Sequence, residues 1–180
     1  MKTVGYVFRL LINVNKITHT VQNVIDKKGD IFPALIPFSK PTCLYGMETL
    51  KSEGTIFVVE GEKTVDAFKS IVPTAQVISW AMGTKSVRYA DFNCLPKNRK
   101  YILIPDADYK NIHGTLTPKP FNEQLGHIAM QEVATRLPEP LKVRILNTSE
   151  MGAIKSGWDI ADSNFTKEEL KDWLLKTWKN

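Results

Sequence analysis

Hydrophobic and polar residues alternate along the first part of the chain. Val4, Tyr6, Phe8, Leu10, Ile12 and Val14 occupy every second position, the period of a half-buried strand. Residues 13–16 offer a turn, and residues 17–25 read as a returning strand that stops at Lys27-Lys28-Gly29-Asp30. Pro33, Pro37 and Pro41 interrupt any long element, so residues 31–41 are expected to be an edge or an extended connector. Residues 1–50 are therefore expected to form a small β-rich appendage, with a second domain over residues 51–180.

From residue 55 the pattern changes. Thr55-Ile56-Phe57-Val58-Val59 is a short apolar run, the mark of a strand buried on both faces, and it ends at Glu60-Gly61-Glu62. Val65, Phe68 and Val72 then recur at helical spacing. Residues 75–79 read as a second strand, 85–92 as a short helix, and 101–104 as a third strand that ends at Pro105-Asp106-Ala107-Asp108. Phe121, Leu125, Ile128, Ala129, Val133 and Leu137 are expected to mark the core face of a long helix, with a fourth strand at 142–146. Thr166 and Glu169 form a capping box flanked by Phe165 and Leu170 as a hydrophobic staple, and Leu170, Trp173, Leu174 and Trp178 give the last helix an apolar stripe. Alternating strands and helices predict an α/β fold: a mainly parallel sheet of about four strands with helices on both faces.

Composition changes this picture little. The chain has 180 residues, 43% hydrophobic and 24% charged, the profile of a globular protein rather than a disordered or fibrous one. No apolar run reaches the roughly 20 residues of a membrane helix, and the N-terminus makes a poor signal peptide, so a cytoplasmic location with no membrane partner is expected. Cys43 and Cys94 lack zinc-ligand spacing and are expected to be buried free thiols. The net charge of +5 suits an anionic partner without identifying one.

The acids carry the candidate chemistry. In open parallel sheets, ligands bind outside the carboxyl ends of the strands, and two strands here end in acids: Glu60 after the first, Asp106 and Asp108 after the third. Asp106 and Asp108 are two residues apart and share a side in extended backbone. Gly61 is expected to turn the chain sharply and leave space beside Glu60. Converging carboxylates repel unless a cation lies among them, and hard oxygen donors favour Mg²⁺, with Mn²⁺ possible. The alternative is that each acid caps a helix or faces solvent.

Val58-Val59-Glu60-Gly61-Glu62, Gly83-Thr84 and Ile104-Pro105-Asp106-Ala107-Asp108, in this order, resemble the motifs of the Toprim domain (a Rossmann-like fold) of primases, topoisomerases and some nucleases. The longer string from Val59 to Ala67 is more specifically similar to primase and primase-helicase proteins of phages, plasmids and other mobile elements. Leu44-Tyr45-Gly46 before it and Gly157-Trp158-Asp159 after it strengthen the likeness, which covers residues 43–162. The resemblance implies a nucleotidyltransferase: a DNA primase domain, DNA-directed RNA polymerase in type, that uses Mg²⁺ and nucleoside triphosphates to make primers on single-stranded DNA during DNA replication. It implies Glu60 as general base or acid and metal ligand, and Asp106 and Asp108 as metal ligands. Asp159 is preferred over Asp162 as a further ligand, with a helix N-cap as its alternative role. Gly83 and Thr84 match the turn after the second strand, and Lys85 and Arg88 are phosphate contacts. Lys63 is either a phosphate contact or a solvated helix residue, and Glu62 is equally open.

The sequence also departs from the family. Residues 109–120, with His113-Gly114 and two prolines, separate the Asp-x-Asp from its helix and are expected to form a long loop. No zinc module or Walker A loop is present, so a larger protein or a helicase partner is expected to complete the machinery. The rival readings are a Toprim nuclease using the same acids and a non-catalytic nucleic-acid-binding module.

Overall fold

The computed structural model describes residues 6–12, 15–25, 28–34, 37–151 and 155–179. The chain divides into two compact units, Met1–Thr42 and Cys43–Asn180. The first contains a three-stranded antiparallel sheet, β1 (Tyr6–Ile12), β2 (Asn15–Ile25) and β3 (Ile31–Ala34), in that spatial order. Val4, Asn13 and Val14 lie outside the described residues, while Asn15 and Lys16, expected in the turn over residues 13–16, belong to β2.

The second unit is built on a five-stranded sheet. Its elements in chain order are β4 (Leu44–Tyr45), β5 (Thr55–Val59), α1 (Glu62–Ile71), β6 (Gln76–Trp80), β7 (Lys100–Ile104), β8 (Tyr109–Ile112), β9 (Thr115–Pro118), α2 (Leu125–Arg136), β10 (Lys142–Ile145) and α3 (Lys167–Lys179). The spatial order is β10-β7-β5-β6-β4, parallel throughout except for β4, which pairs antiparallel with β6. The expectation of four strands is thus corrected to five. Leu44-Tyr45 is too short to show a period, and its membership of the sheet comes from pairing with Trp80 and Ser79.

Side chains of the central strands alternate between two cores, as the pleat requires. Ile56, Val58, Tyr101 and Leu103 join Ile78 and Trp80 in a cluster with Ala129, Met130 and Val133 of α2. Val59, Ile104 and Val77 face the other way, into a cluster with Val65 and Phe68 of α1, Trp158, and Leu170 and Trp173 of α3. The capping box of α3 is present: the Thr166 N–H donates to Glu169 Oε2 at 2.8 Å, and the Glu169 N–H donates to Thr166 Oγ1 at 3.2 Å. The side chain of Trp178 lies outside the described residues.

Three further expectations are corrected, the first in part. Ala129, Val133 and Leu137 are buried as expected, with Gly126 and Met130 of helix α2 beside them, whereas Phe121, Leu125 and Ile128 are exposed. The sequence admits two apolar stripes on this helix, and the sheet selects the one with small residues, which lets the helix approach closely. The segment read as a loop is the β8–β9 hairpin, whose two-residue turn places His113 at φ 49 and Gly114 at φ 86. Two successive positive φ values give the turn whose twist matches that of the flanking strands. Cys43 and Cys94 are free but exposed, because both sit on connecting segments rather than in the sheet.

Candidate functional site

Strands β5 and β7 are parallel neighbours with Val59 opposite Ile104. Glu60 and Pro105-Asp106 therefore leave the sheet side by side at its carboxyl edge. Glu60 is only 7% exposed, and both of its carboxylate oxygens are engaged. Oε1 accepts the Asp106 N–H at 2.8 Å, and Oε2 accepts the Thr84 hydroxyl at 3.1 Å. Gly83, at φ 75, supplies the left-handed backbone that presents Thr84. Gly61 does not play its expected part. It adopts φ −146 and ψ 154, an extended conformation open to any residue, and a Cβ there would meet nothing nearer than 4.0 Å.

Ala107 pairs with Trp158 in an antiparallel bridge: the Ala107 N–H donates to the Trp158 carbonyl at 2.9 Å, and the Gly157 N–H donates to the Ala107 carbonyl at 2.7 Å. Trp158 is buried against the rings of Phe165 and Trp173, at centroid distances of 6.2 and 6.0 Å. The apolar plug fixes the bridge, and the bridge brings Asp159 alongside the Asp-x-Asp. There Asp159 caps a short 3₁₀ turn, accepting the Ala161 N–H at 2.6 Å and the Thr64 hydroxyl at 3.0 Å. The cap, the alternative role weighed against a metal ligand, is the one its geometry displays.

Asp108 is held from the other side. Its Oδ2 accepts the Gly126 N–H in the first turn of α2 at 3.0 Å, and its Oδ1 lies 3.6 Å from Lys119 Nζ. Its own N–H donates to Ser149 Oγ at 3.3 Å. Asp106 differs from the other three acids: among the described residues its carboxylate has no hydrogen-bond or ion-pair partner. Burial, and then the charges of Glu60, Asp159 and Asp108, push its carboxyl from the ordinary 3.8 up to about 9. Burial also raises Glu60, opposed by its two hydrogen bonds and reinforced by Asp108 and Asp159.

The four acids thus share one electrostatic field, but among the described residues no three His, Cys, Asp or Glu side chains form a ready-made metal cage. The donor set fits a hard cation drawn to Asp106, with one or two neighbouring carboxylates and water completing its shell, the manner in which Mg²⁺ is bound. A second observation agrees. A Cβ on Gly126 would fall 2.2 Å from Glu60 Oε1 and 3.0 Å from the Asp106 carbonyl, so only glycine lets the start of α2 pack this closely against the acids.

The basic residues singled out by sequence stand apart. Lys85 and Arg88 are exposed, and the Arg88 guanidinium lies over the Tyr89 ring at 4.9 Å. Lys63 pairs with Asp162 at 3.4 Å, and Asp162 also receives Lys155 at 3.0 Å. Glu62 opens α1 half-buried, and His113 is exposed on the hairpin turn. The residues that sequence reasoning missed are Thr64, Lys119, Gln124, Gly126 and Ser149. Only Gly126 carried a signal, as an isolated glycine within a helical pattern.

No protein-family profile matches the sequence, and no curated protein matches it. Solved structures do. A chain of a bacteriophage T7 assembly, in which the lagging-strand DNA polymerase interacts with primase domains of two gp4 subunits bound to an RNA/DNA hybrid and dTTP, matches with a TM-score of 0.54 and 17% identity over 94% of this chain and 82% of that one. The primase fragment of the bacteriophage T7 primase-helicase protein matches with a TM-score of 0.51 and 17% identity over 95% of this chain and 65% of that one. The chain shares the fold of these phage primase domains. No helix among its described residues is long and apolar enough to cross a membrane.

Proposed function

We propose that this chain is a Toprim-type primase domain that performs Mg²⁺-dependent nucleotidyl transfer, making primers on single-stranded DNA as part of a phage or plasmid replication protein. The observation that carries the reading is the half-buried Asp106 carboxylate, unpartnered among the described residues and set in the field of Glu60, Asp108 and Asp159 at the carboxyl edge of the sheet. Likeness to the T7 primase domains supports the choice of primase over nuclease.

Asp106 and Asp108 hold the cation, with Glu60 and Asp159 in the same field. Bound Mg²⁺, or Mn²⁺ in its place, supplies charge stabilisation on the leaving pyrophosphate. Glu60, whose proton affinity is raised by burial, takes the proton from the attacking 3′-hydroxyl. Thr84 and the Asp106 N–H fix its carboxylate for that task. The exposed Lys85 and Arg88 hold nucleotide and template phosphates, which makes binding salt-sensitive. A replicative helicase or helicase domain is the expected partner.

The test is incubation of the chain, and of the longer protein that contains it, with single-stranded DNA, nucleoside triphosphates and Mg²⁺. Oligonucleotide ladders that disappear in Asp106→Asn are expected. Strand cleavage without extension would replace the primase with a nuclease. DNA binding without either reaction, insensitive to Mg²⁺ and to Glu60→Gln, would leave a binding module.

A further inference from the structure

The hairpin that interrupts the expected Asp-x-Asp-to-helix connection ends on the acid centre. Immediately after β9, the Lys119 N–H donates to the Asp108 carbonyl at 3.0 Å, while its ammonium lies 3.6 Å from Asp108 Oδ1. The Lys119 carbonyl accepts the amide of Gln124 at 2.7 Å. Gln124 is 4% exposed and accepts the hydroxyl of Ser149, 2% exposed, at 3.0 Å. Ser149 Oγ in turn accepts the Asp108 N–H. The backbone of Lys119 is therefore held at both its N–H and its carbonyl, and its side chain, 26% exposed, reaches back to Asp108, two residues from Asp106.

We infer that Lys119 is a built-in counter-cation that occupies Asp108 in the metal-free chain and must be displaced from it before a divalent ion can use that carboxylate. Two observations carry this. Asp108 Oδ2 accepts a helix N–H, and its Oδ1 faces the Lys119 ammonium at 3.6 Å. And the lysine reaches Asp108 through a hairpin whose base is held by a buried polar network, while its ammonium keeps access to water, so it can swing away at little cost.

The consequence is a sign that a purely structural lysine would not give: removing the charge strengthens metal binding. The inference rests on the metal centre proposed above, so the experiment separates the two. Mn²⁺ binding is measured by electron paramagnetic resonance, without nucleotide or template, for the 180-residue chain and for Lys119→Gln, Lys119→Arg and Asp106→Asn, each with its melting curve. Lys119→Gln is expected to bind Mn²⁺ about three- to fivefold more tightly than the parent, the upper end of what a partly exposed ion pair contributes. Lys119→Arg is expected to return to parental affinity, and Asp106→Asn to lose binding.

Equal or weaker Mn²⁺ affinity in a folded Lys119→Gln, with the parent binding and Asp106→Asn not, overturns the counter-cation and leaves the metal centre standing. No Mn²⁺ binding by the parent or by Lys119→Gln overturns the metal centre and the counter-cation with it.

Discussion

Strand β7 has an ionisable side chain at each end, one buried and one half-buried, and the two are treated in opposite ways. Arg99, just before the strand and 6% exposed, donates to the Gly54 carbonyl at 3.0 and 2.8 Å, to the Lys51 carbonyl at 2.7 Å and to Gln76 Oε1 at 3.0 Å. Asp106, just after the strand, has no partner among the described residues and three acids around it. A fully bonded buried charge stabilises and specifies the fold, whereas an unbonded one costs stability and is kept for another purpose. The amino edge of the sheet is built to close; the carboxyl edge is built to receive.

Substitution at the two ends of β7 should therefore separate chemistry from stability. Asp106→Asn is expected to lower Mg²⁺-dependent nucleotidyl transfer by about 10³-fold or more, because a carboxylate essential to ion binding is lost. The same chain, free of divalent ions at about pH 8, should melt higher than the parent, since the parent must take up a proton at Asp106 on folding and the variant need not. Arg99→Ala should do the reverse. Its lost charge-assisted bonds are expected to cost about 3 kcal/mol in urea unfolding, with turnover per folded molecule unchanged. If Asp106→Asn lowered stability as Arg99→Ala does, the contrast between the two ends would fail.

Next in size is Gly126→Ala. Alanine in a helix ordinarily stabilises by up to about 1 kcal/mol over glycine. Here the added methyl meets Glu60 Oε1 at 2.2 Å and the Asp106 backbone at 3.0 and 3.2 Å, so it pushes Glu60 off its two hydrogen bonds and presses on backbone. Stability is thus expected to fall by about 1–3 kcal/mol as Glu60 leaves its position, and a displacement of about 1 Å at a reacting group costs about 10²-fold in rate. Turnover and thermal melting measured on the same preparation decide it; retained activity would detach Glu60 from catalysis.

The pH dependence follows from the sign of the Asp106 shift. Its folded-state value is raised from the ordinary 3.8 to about 9, so between these limits the folded chain holds a proton that the unfolded chain has released. Stability then falls as pH rises through this window, is lowest above the folded value, and is free of this penalty below the unfolded one. Melting curves of the cation-free chain from about pH 5 to about pH 9 should show a decline attributable to this group, absent in Asp106→Asn and relieved by Mg²⁺.

How much of this was legible follows from where each constraint resides. The strands β5 and β7 and the acids that end them are local: an apolar run, then a carboxylate, in one stretch of sequence. That Glu60 and Asp106 become neighbours depends only on the two strands pairing in parallel, which the alternation of strand and helix implies. The groups that hold the acids and their neighbours are not local. Thr64, Lys119, Gln124, Gly126 and Ser149 come from three stretches of the chain, and only Gly126 has a residue type that stands out in its pattern. The exposed face of α2 was misread for the same reason, since Phe121, Leu125 and Ile128 keep helical period, and only the sheet decides which stripe it buries. The hairpin was legible in principle: Asn111-Ile112-His113-Gly114-Thr115 places a two-residue turn between alternating positions, with Asn111 Oδ1 accepting the Gly114 N–H at 2.7 Å.

That turn gives the smallest and sharpest test of how the carboxyl edge is built. Gly114 sits at φ 86, and a methyl group added to its Cα would meet nothing within 4 Å, so Gly114→Ala adds backbone strain and no clash. The cost of a left-handed alanine is about 1 kcal/mol, confined to a hairpin tip that opens readily by itself. Lys119 lies at the opposite end of the hairpin, tied to the Asp108 carbonyl and to Gln124 independently of the turn. Mn²⁺ affinity in Gly114→Ala should therefore stay within about twofold of the parent, because the two sites share no partner. A rise as large as that expected of Lys119→Gln would mean that the turn, and not the buried Gln124–Ser149 network, holds the lysine on its acid.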